Sequence, residues 1–103
     1  MKADRIAEIG IDDAGSLWVR PATTQFPYIY REAMEVGWDV QRGRLFSPKP
    51  RRRILGEPTR AQWFQQITSA AREQGTALLV DAQTQWSGID ASLKAEIEDS
   101  IVG

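Results

Sequence analysis

Seven of the chain's 13 basic residues fall in one stretch: Arg42, Arg44, Lys49, Arg51, Arg52, Arg53 and Arg60, against the single acid Glu57. Such a run has one obvious chemistry. Each Lys or Arg that neutralises a phosphate releases condensed counterions, and Trp38, Phe46 and Trp63 could supply stacking platforms beside it. The competing reading is a solvated loop that pairs with acids of the same chain or of a neighbouring subunit. Those acids exist: residues 81–103 carry Asp81, Asp90, Glu96, Glu98 and Asp99 against Lys94 alone. A formal net charge of -1 therefore hides a basic segment and an acidic C-terminal one. The sequence pI of 5.4 lies far below the value of about 9 usual for dedicated nucleic-acid-binding domains. Nucleic acid is thus the second expectation, and a protein partner or a second copy of the chain the first.

Aromatic residues are the other candidate recognition groups, with four Trp, two Tyr and three Phe in 103 residues. Trp38 and Trp63 fit apolar stripes of a core. Trp18 alternates with Leu17 and Val19 and so points to the opposite face of its strand. Trp86 stands beside Gly88 in an irregular stretch, and Tyr28 and Tyr30 sit in the run Phe26–Arg31. A ring outside the main pattern either closes the edge of a core or anchors an interface, because it offers large apolar area with one polar handle. Trp18, Tyr28, Tyr30, Trp38 and Trp86 are therefore the candidate ligand or interface residues. A small-ligand pocket lined by Tyr28, Tyr30, Trp38 and Trp63 is a further alternative.

Catalytic chemistry has little to work with. There is no cysteine and no histidine, which removes thiolate nucleophiles, Zn–thiolate sites, Ser-His-Asp triads and imidazole acid–base steps. Glu32 and Glu35 are three residues apart, Glu8, Asp39 and Asp81 stand alone, and Asp12-Asp13 read as turn residues. Gly-rich phosphate cradles are missing. No catalytic residue, metal site or cofactor is expected, and the chain reads as non-enzymatic. No apolar run approaches 18 residues and the N-terminus has no signal-like apolar core, so a cytoplasmic protein without a membrane span is expected.

The elements that must position these groups follow from periodicity. Residues 5–11 and 16–20 alternate around Asp12–Gly15 and predict a hairpin. Residues 24–36 carry Phe26, Ile29, Tyr30, Ala33 and Met34 at helical spacing and predict a helix, with an extended Phe26–Tyr30 as the rival. Val36, Trp38 and Val40, the turn Gln41-Arg42-Gly43 and Arg44–Ser47 predict a second hairpin. Residues 47–58, with three prolines, predict a loop. Thr59 and Gln62 form a capping box for a helix to Gln74, ended by Gly75. Residues 76–81 predict a strand, residues 82–89 a loop through Trp86, and Asp90 caps a last helix whose stripe is Leu93, Ile97 and Ile101. The length suits one domain, 1–103. The order ββαββαβα predicts an α+β fold with an antiparallel sheet of about five strands and helices packed on one face.

On Phe26-Pro27-Tyr28-Ile29-Tyr30-Arg31, Ser47-Pro48-Lys49-Pro50-Arg51, Trp63-Phe64, Ile67 and Trp86, the chain resembles integron gene-cassette products, small bacterial proteins carried on mobile DNA. The resemblance runs from about residue 6 to 101. It implies a compact α+β fold, self-association into homo-oligomers and an accessory, adaptive role. It transfers no catalytic residue.

Overall fold

The structure, a computed structural model, describes residues 2–49 and 59–102. Its spine is β1 (Lys2–Ile11), the longest strand. The turn Asp12–Gly15 returns the chain as β2 (Leu17–Pro21), antiparallel to β1. Asp12 explains the turn: its Oδ1 accepts from the backbone N–H groups of Ala14 and Ser16, both at 2.9 Å, and Gly15 takes φ 88°. The second hairpin joins β3 (Gly37–Asp39) to β4 (Arg44–Phe46), and β4 pairs with β2. Asp39 repeats the device with Gln41 and Arg42, and Gly43 supplies φ 65°.

Helix α1 (Arg60–Glu73) starts on the expected capping box. Thr59 Oγ1 accepts from Gln62 N at 3.2 Å, and Gln62 Oε1 accepts from Thr59 N at 2.8 Å. Gly75, at φ 93°, ends it and feeds β5 (Thr76–Leu79). After β6 (Gln85–Ser87), helix α2 (Ala91–Val102) begins where Asp90 Oδ1 accepts from Leu93 N at 2.7 Å.

The α+β class therefore holds, with three differences from expectation. The sheet has six strands and is mixed: in the order β3-β4-β2-β1-β5, β5 runs parallel to β1 beside residues 2–5, and β6 runs parallel beside residues 8–10. Gln85–Ser87, expected as loop, is a strand, because its short backbone finds partners on β1 that lie 77 positions away in sequence. The predicted helix 24–36 does not form, nor does the extended rival. The segment is a chain of tight turns around a 3₁₀ turn, Ile29–Arg31. Two constraints oppose a helix there. Pro27 disfavours the helical conformation of Phe26 before it, and the Asp4 carboxylate takes the amides of Thr23 and Thr24 at 3.1 and 2.8 Å, tying the segment's start to β1. Of the predicted stripe only Phe26 and Ile29 are buried and Ala33 partly so, while Tyr30 is 54% and Met34 93% exposed; the helical spacing therefore does not mark the inward side of this segment. Residues 50–58, including Arg51, Arg52, Arg53 and Pro58, and the Ile101 side chain lie outside the described residues.

β1 contains the irregularity that sets both faces of the sheet. Ile6 pairs with Pro21 and Glu8 with Arg20, so Ala7 is an extra residue, a β-bulge. A bulge shifts side-chain parity by one. Ile6 and Ile9 consequently both point inward and are fully buried; simple alternation had put Ala7 there. The bulge also leaves the Ile6 carbonyl off the ladder, and Thr84 answers it. Its Oγ1 donates to Ile6 O at 2.7 Å and accepts from Asp81 N at 3.0 Å. Residues 80–84 are thus a hinge that interrupts one parallel track, β5 before it and β6 after it.

The inner face carries the core. The paired residues form one apolar row across five strands: Trp86, Ile9, Val19, Leu45 and Trp38. Trp63, Phe64, Ile67, Ala70 and Ala71 of α1 and Ile97 of α2 complete the same cluster. Phe26 closes the Trp38 end, ring centroids 5.9 Å apart at 69°, a favourable edge-to-face arrangement.

Two outcomes test this hinge. Thr84→Val keeps the shape but leaves the Ile6 carbonyl unanswered, and should lower unfolding free energy by about 1–3 kcal/mol in urea titration. Asp81 sits on the surface beside it. The Arg5 guanidinium, 2.9 Å away, holds its carboxyl down to about 2 from 3.8, against some desolvation and helped by Gln83 N–H. A depressed carboxylate stabilises the fold above its unfolded pKa and loses that contribution as pH falls through the folded one. The stability difference between wild type and Asp81→Asn should be full above about pH 5, shrink from about pH 4 downward through about pH 2, and vanish only below about pH 1.

Candidate functional site

The outer face of the sheet, opposite both helices, is built of two rows. The first is Ser87, Gly10, Trp18, Phe46 and Gly37, read from β6 to β3. The second begins Gln85, Glu8 and Arg20, and the same register carries on to Arg44 and Asp39. The glycines in the first row have a steric purpose. A Cβ on Gly10 would lie 2.9 Å from Trp18 Nε1 and closer still to other indole atoms, and one on Gly37 would lie 2.8 Å from Phe46 Cε1. Each ring therefore lies flat across its glycine partner. That is why Trp18 is only 7% exposed although no helix covers it, while Phe46 keeps 36%. The Arg44 guanidinium sits over the indole, 4.1 Å from its centroid, a cation–π contact.

The charged row is ordered by its own pairs. Arg20 Nη2 donates to Glu8 Oε1 at 3.0 Å, and the Ser87 hydroxyl donates to Glu8 Oε2. The Ser87 bond first, then the Arg20 guanidinium, hold Glu8 below its ordinary pKa despite some desolvation. Asp39 is lowered chiefly by the Arg42 backbone N–H, against burial, with the Arg42 guanidinium and Gln41 N–H adding. Burial works against ionisation of Asp4, yet the amides of Thr24 and Thr23 leave its pKa lowered. Asp4, Glu8, Asp39 and Asp81 are thus each held in the charged form, as fixed acceptors. The array offers flat aromatic area framed by guanidiniums, the composition of a contact surface.

The five expected ligand or interface residues do not converge. Trp18 lies on the outer face, as its alternation implied. Trp38 and Trp86 mark opposite ends of the inner row, half-buried against the core, with Lys94 Nζ 5.4 Å from the Trp86 centroid. Tyr28 and Tyr30 are 53% and 54% exposed on the 3₁₀ turn, their rings 6.5 Å apart, and Arg31 covers Tyr28 at 4.7 Å. Trp63 is buried in the core, so Tyr28, Tyr30, Trp38 and Trp63 do not enclose one cavity.

The basic segment also divides. Arg42 pairs with Asp39 at 3.1 Å, Arg44 covers Trp18, Lys49 is exposed, and Arg60 Nη2 donates to Gly15 O at 3.3 Å on α1's first turn. Arg20 and Ser87 were not singled out from sequence. The alternation Trp18, Arg20 and Arg44, Phe46 was the available signal, but only the register across strands brings the four together. No group of three or more Asp, Glu, His or Cys side chains able to hold a metal occurs among the described residues, and no helix there is long and apolar enough to cross a membrane.

An α+β domain with one helix-covered face and one open, arginine-framed face is the class these features define. The integron cassette protein Hfx_Cass5 family matches residues 4–84, and the chain belongs to that family. A solved structure is similar as well: the integron cassette protein Hfx_Cass5 from the mobile metagenome of North West Arm Sewage Outfall. It is 44% identical, with 100% of this chain and 99% of that one covered, at a TM-score of 0.48. A search of curated proteins found no match.

The glycine–indole pair yields a direct test. Replacing a strand glycine by alanine ordinarily gains about 0.5–1 kcal/mol. At Gly10 the new methyl would displace the Trp18 ring, and overpacking of this kind costs about 1–3 kcal/mol. Gly10→Ala should therefore destabilise the protein in urea titration, and most of the loss should disappear in a Trp18→Ala background.

Proposed function

We propose that this cassette protein is a non-enzymatic, accessory interaction protein that self-associates, the outer sheet face of one copy meeting α2 of the next. The observation that carries the reading is the charge partition between the two faces. Arg20, Arg42 and Arg44, set against Glu8 and Asp39, leave the sheet side around Phe46 with one net positive charge. On the helix side, α2 exposes Glu96, Glu98 and Asp99, with Asp90 at its cap, around Lys94. Opposite patches on opposite sides of one molecule suit a head-to-tail contact between copies. The absence of histidine and cysteine, and carboxylates shifted toward the charged form, supply no group poised for proton transfer near neutral pH. Nucleic-acid binding is less well supported, because the sequence pI of 5.4 lies far below the value of about 9 usual for such domains, and Arg60 stands apart at the start of α1.

Sedimentation equilibrium tests the proposal. A dimer or larger species should populate at about 0.1 M salt and dissociate toward monomer at about 1 M, where screening reaches only about 3 Å. Arg44→Glu should weaken association, and Glu98→Arg in a mixed sample with it should restore it. A monomer at every salt and protein concentration would sink the reading.

A further inference from the structure

β5 ends the sheet on the side away from β3, and no further strand lies beyond it among the described residues. Lys2, Ala3, Asp4 and Arg5 pair with Thr76, Ala77, Leu78 and Leu79. The Lys2 N–H donates to Gly75 O at 3.0 Å, and that bond sets the phase of the ladder. Alternate residues of a strand turn both backbone groups to the same neighbour, so Gly75, Ala77 and Leu79 address β1. Thr76 and Leu78 turn their N–H and C=O groups the other way, to the open edge.

Open edges are normally blunted by shortness, charge, proline or a bulge, because they template pairing with another chain. β3, at the far edge, is three residues long and includes Asp39. The run from Gly75 to Val80, Gly-Thr-Ala-Leu-Leu-Val, has neither charge nor proline. Leu78 packs into the core, and Leu79, on the opposite side of the strand, stands 47% exposed. The first charge after this run is Asp81, and it is turned to Arg5 of the same copy.

We propose that β5 pairs with β5 of a second copy, antiparallel about a two-fold axis at Leu78, so that one sheet runs through both molecules. This register sets Leu78 against its own counterpart and Thr76 against Val80, the positions whose backbone groups point outward. Between them it sets Leu79 against Ala77, a large side chain against a small one. The two Leu79 side chains then occupy diagonal positions across the axis, within reach of each other. No like charges meet, because Asp81 falls opposite Gly75. The occupant is a second copy because the strand is its own complement in hydrogen-bonding groups, apolar character and side-chain size. β5 spans four residues, so the contact buries less than the roughly 1,200 Å² of a standard interface and forms only at high protein concentration. It does not rest on the head-to-tail contact, since it uses neither the arginine row nor α2, and being main-chain and apolar it withstands salt.

Amide hydrogen exchange at about 1 M salt tests the pairing, because charge contacts between copies are screened there to about 3 Å. Exchange at Thr76 and Leu78 should slow about twofold or more between about 20 µM and about 1 mM protein. Exchange at Ala77 and Leu79, whose amides already face β1, should not change with concentration. Val80→Pro removes a donor from the open edge and should abolish the slowing. Leu79→Asn removes the apolar contact across the axis at a half-exposed position, and keeps the test open if the proline disturbs the hinge. Arg44→Glu, which weakens the head-to-tail contact, should leave the slowing intact. Exchange at Thr76 and Leu78 that is independent of concentration would overturn the proposal, as would slowing that survives both edge variants in a folded protein. A Leu78 amide already fully protected at the lowest concentration would overturn it too, since the edge would then be covered within one molecule.

Discussion

One additional residue in β1 decides what this protein shows to its surroundings. With Ala7 inserted between the Ile6–Pro21 and Glu8–Arg20 pairs, side chains on either side of the bulge change parity. Ile6 and Ile9 share the buried face, while Glu8 and Gly10 share the open one. A bulge leaves ladder groups unmatched, and a buried unmatched carbonyl is costly. The Thr84 hydroxyl removes that cost. In doing so it draws residues 80–84 out of line and splits the parallel track into β5 and β6. The shared inward face of Ile6 and Ile9 and the break between β5 and β6 along one edge of β1 accompany that local arrangement.

The two faces then divide the labour. Inside, five strands contribute one row of large apolar side chains, and both helices lay their buried residues on it. Outside, each aromatic ring has a glycine as its cross-strand neighbour. A tryptophan beside a residue with a Cβ would stand off the sheet; beside Gly10 it lies flat, and Arg44 can sit over it. The face is consequently planar, aromatic and cationic without being loosely packed. Its carboxylates are not spare reactive groups. Glu8 and Asp39 hold Arg20 and Arg42 in place, so their role is to position cations.

Membership of the integron cassette family accords with this design. The open face presents an ordered row of guanidiniums, Arg20 and Arg42 each held by a carboxylate and Arg44 by the Trp18 ring.

What could be read from residues alone was whatever depends on short range. Asp12, Gly15 and Gly43 define turns because their side-chain acceptors and positive φ act within four residues. Thr59, Gln62 and Asp90 define helix starts for the same reason. The alternation around Trp18 placed it on the second face. Long-range pairing was beyond that reach. Gln85–Ser87 is a strand only because Glu8–Gly10 accepts it, and in residues 24–36 the helical spacing misleads, since Tyr30 and Met34 of that stripe are exposed while the Asp4 anchor on β1 sets the path of the segment. The site followed suit. Trp18, Phe46, Arg20 and Arg44 come from two strands whose register a linear pattern does not encode, so tertiary pairing alone made them neighbours.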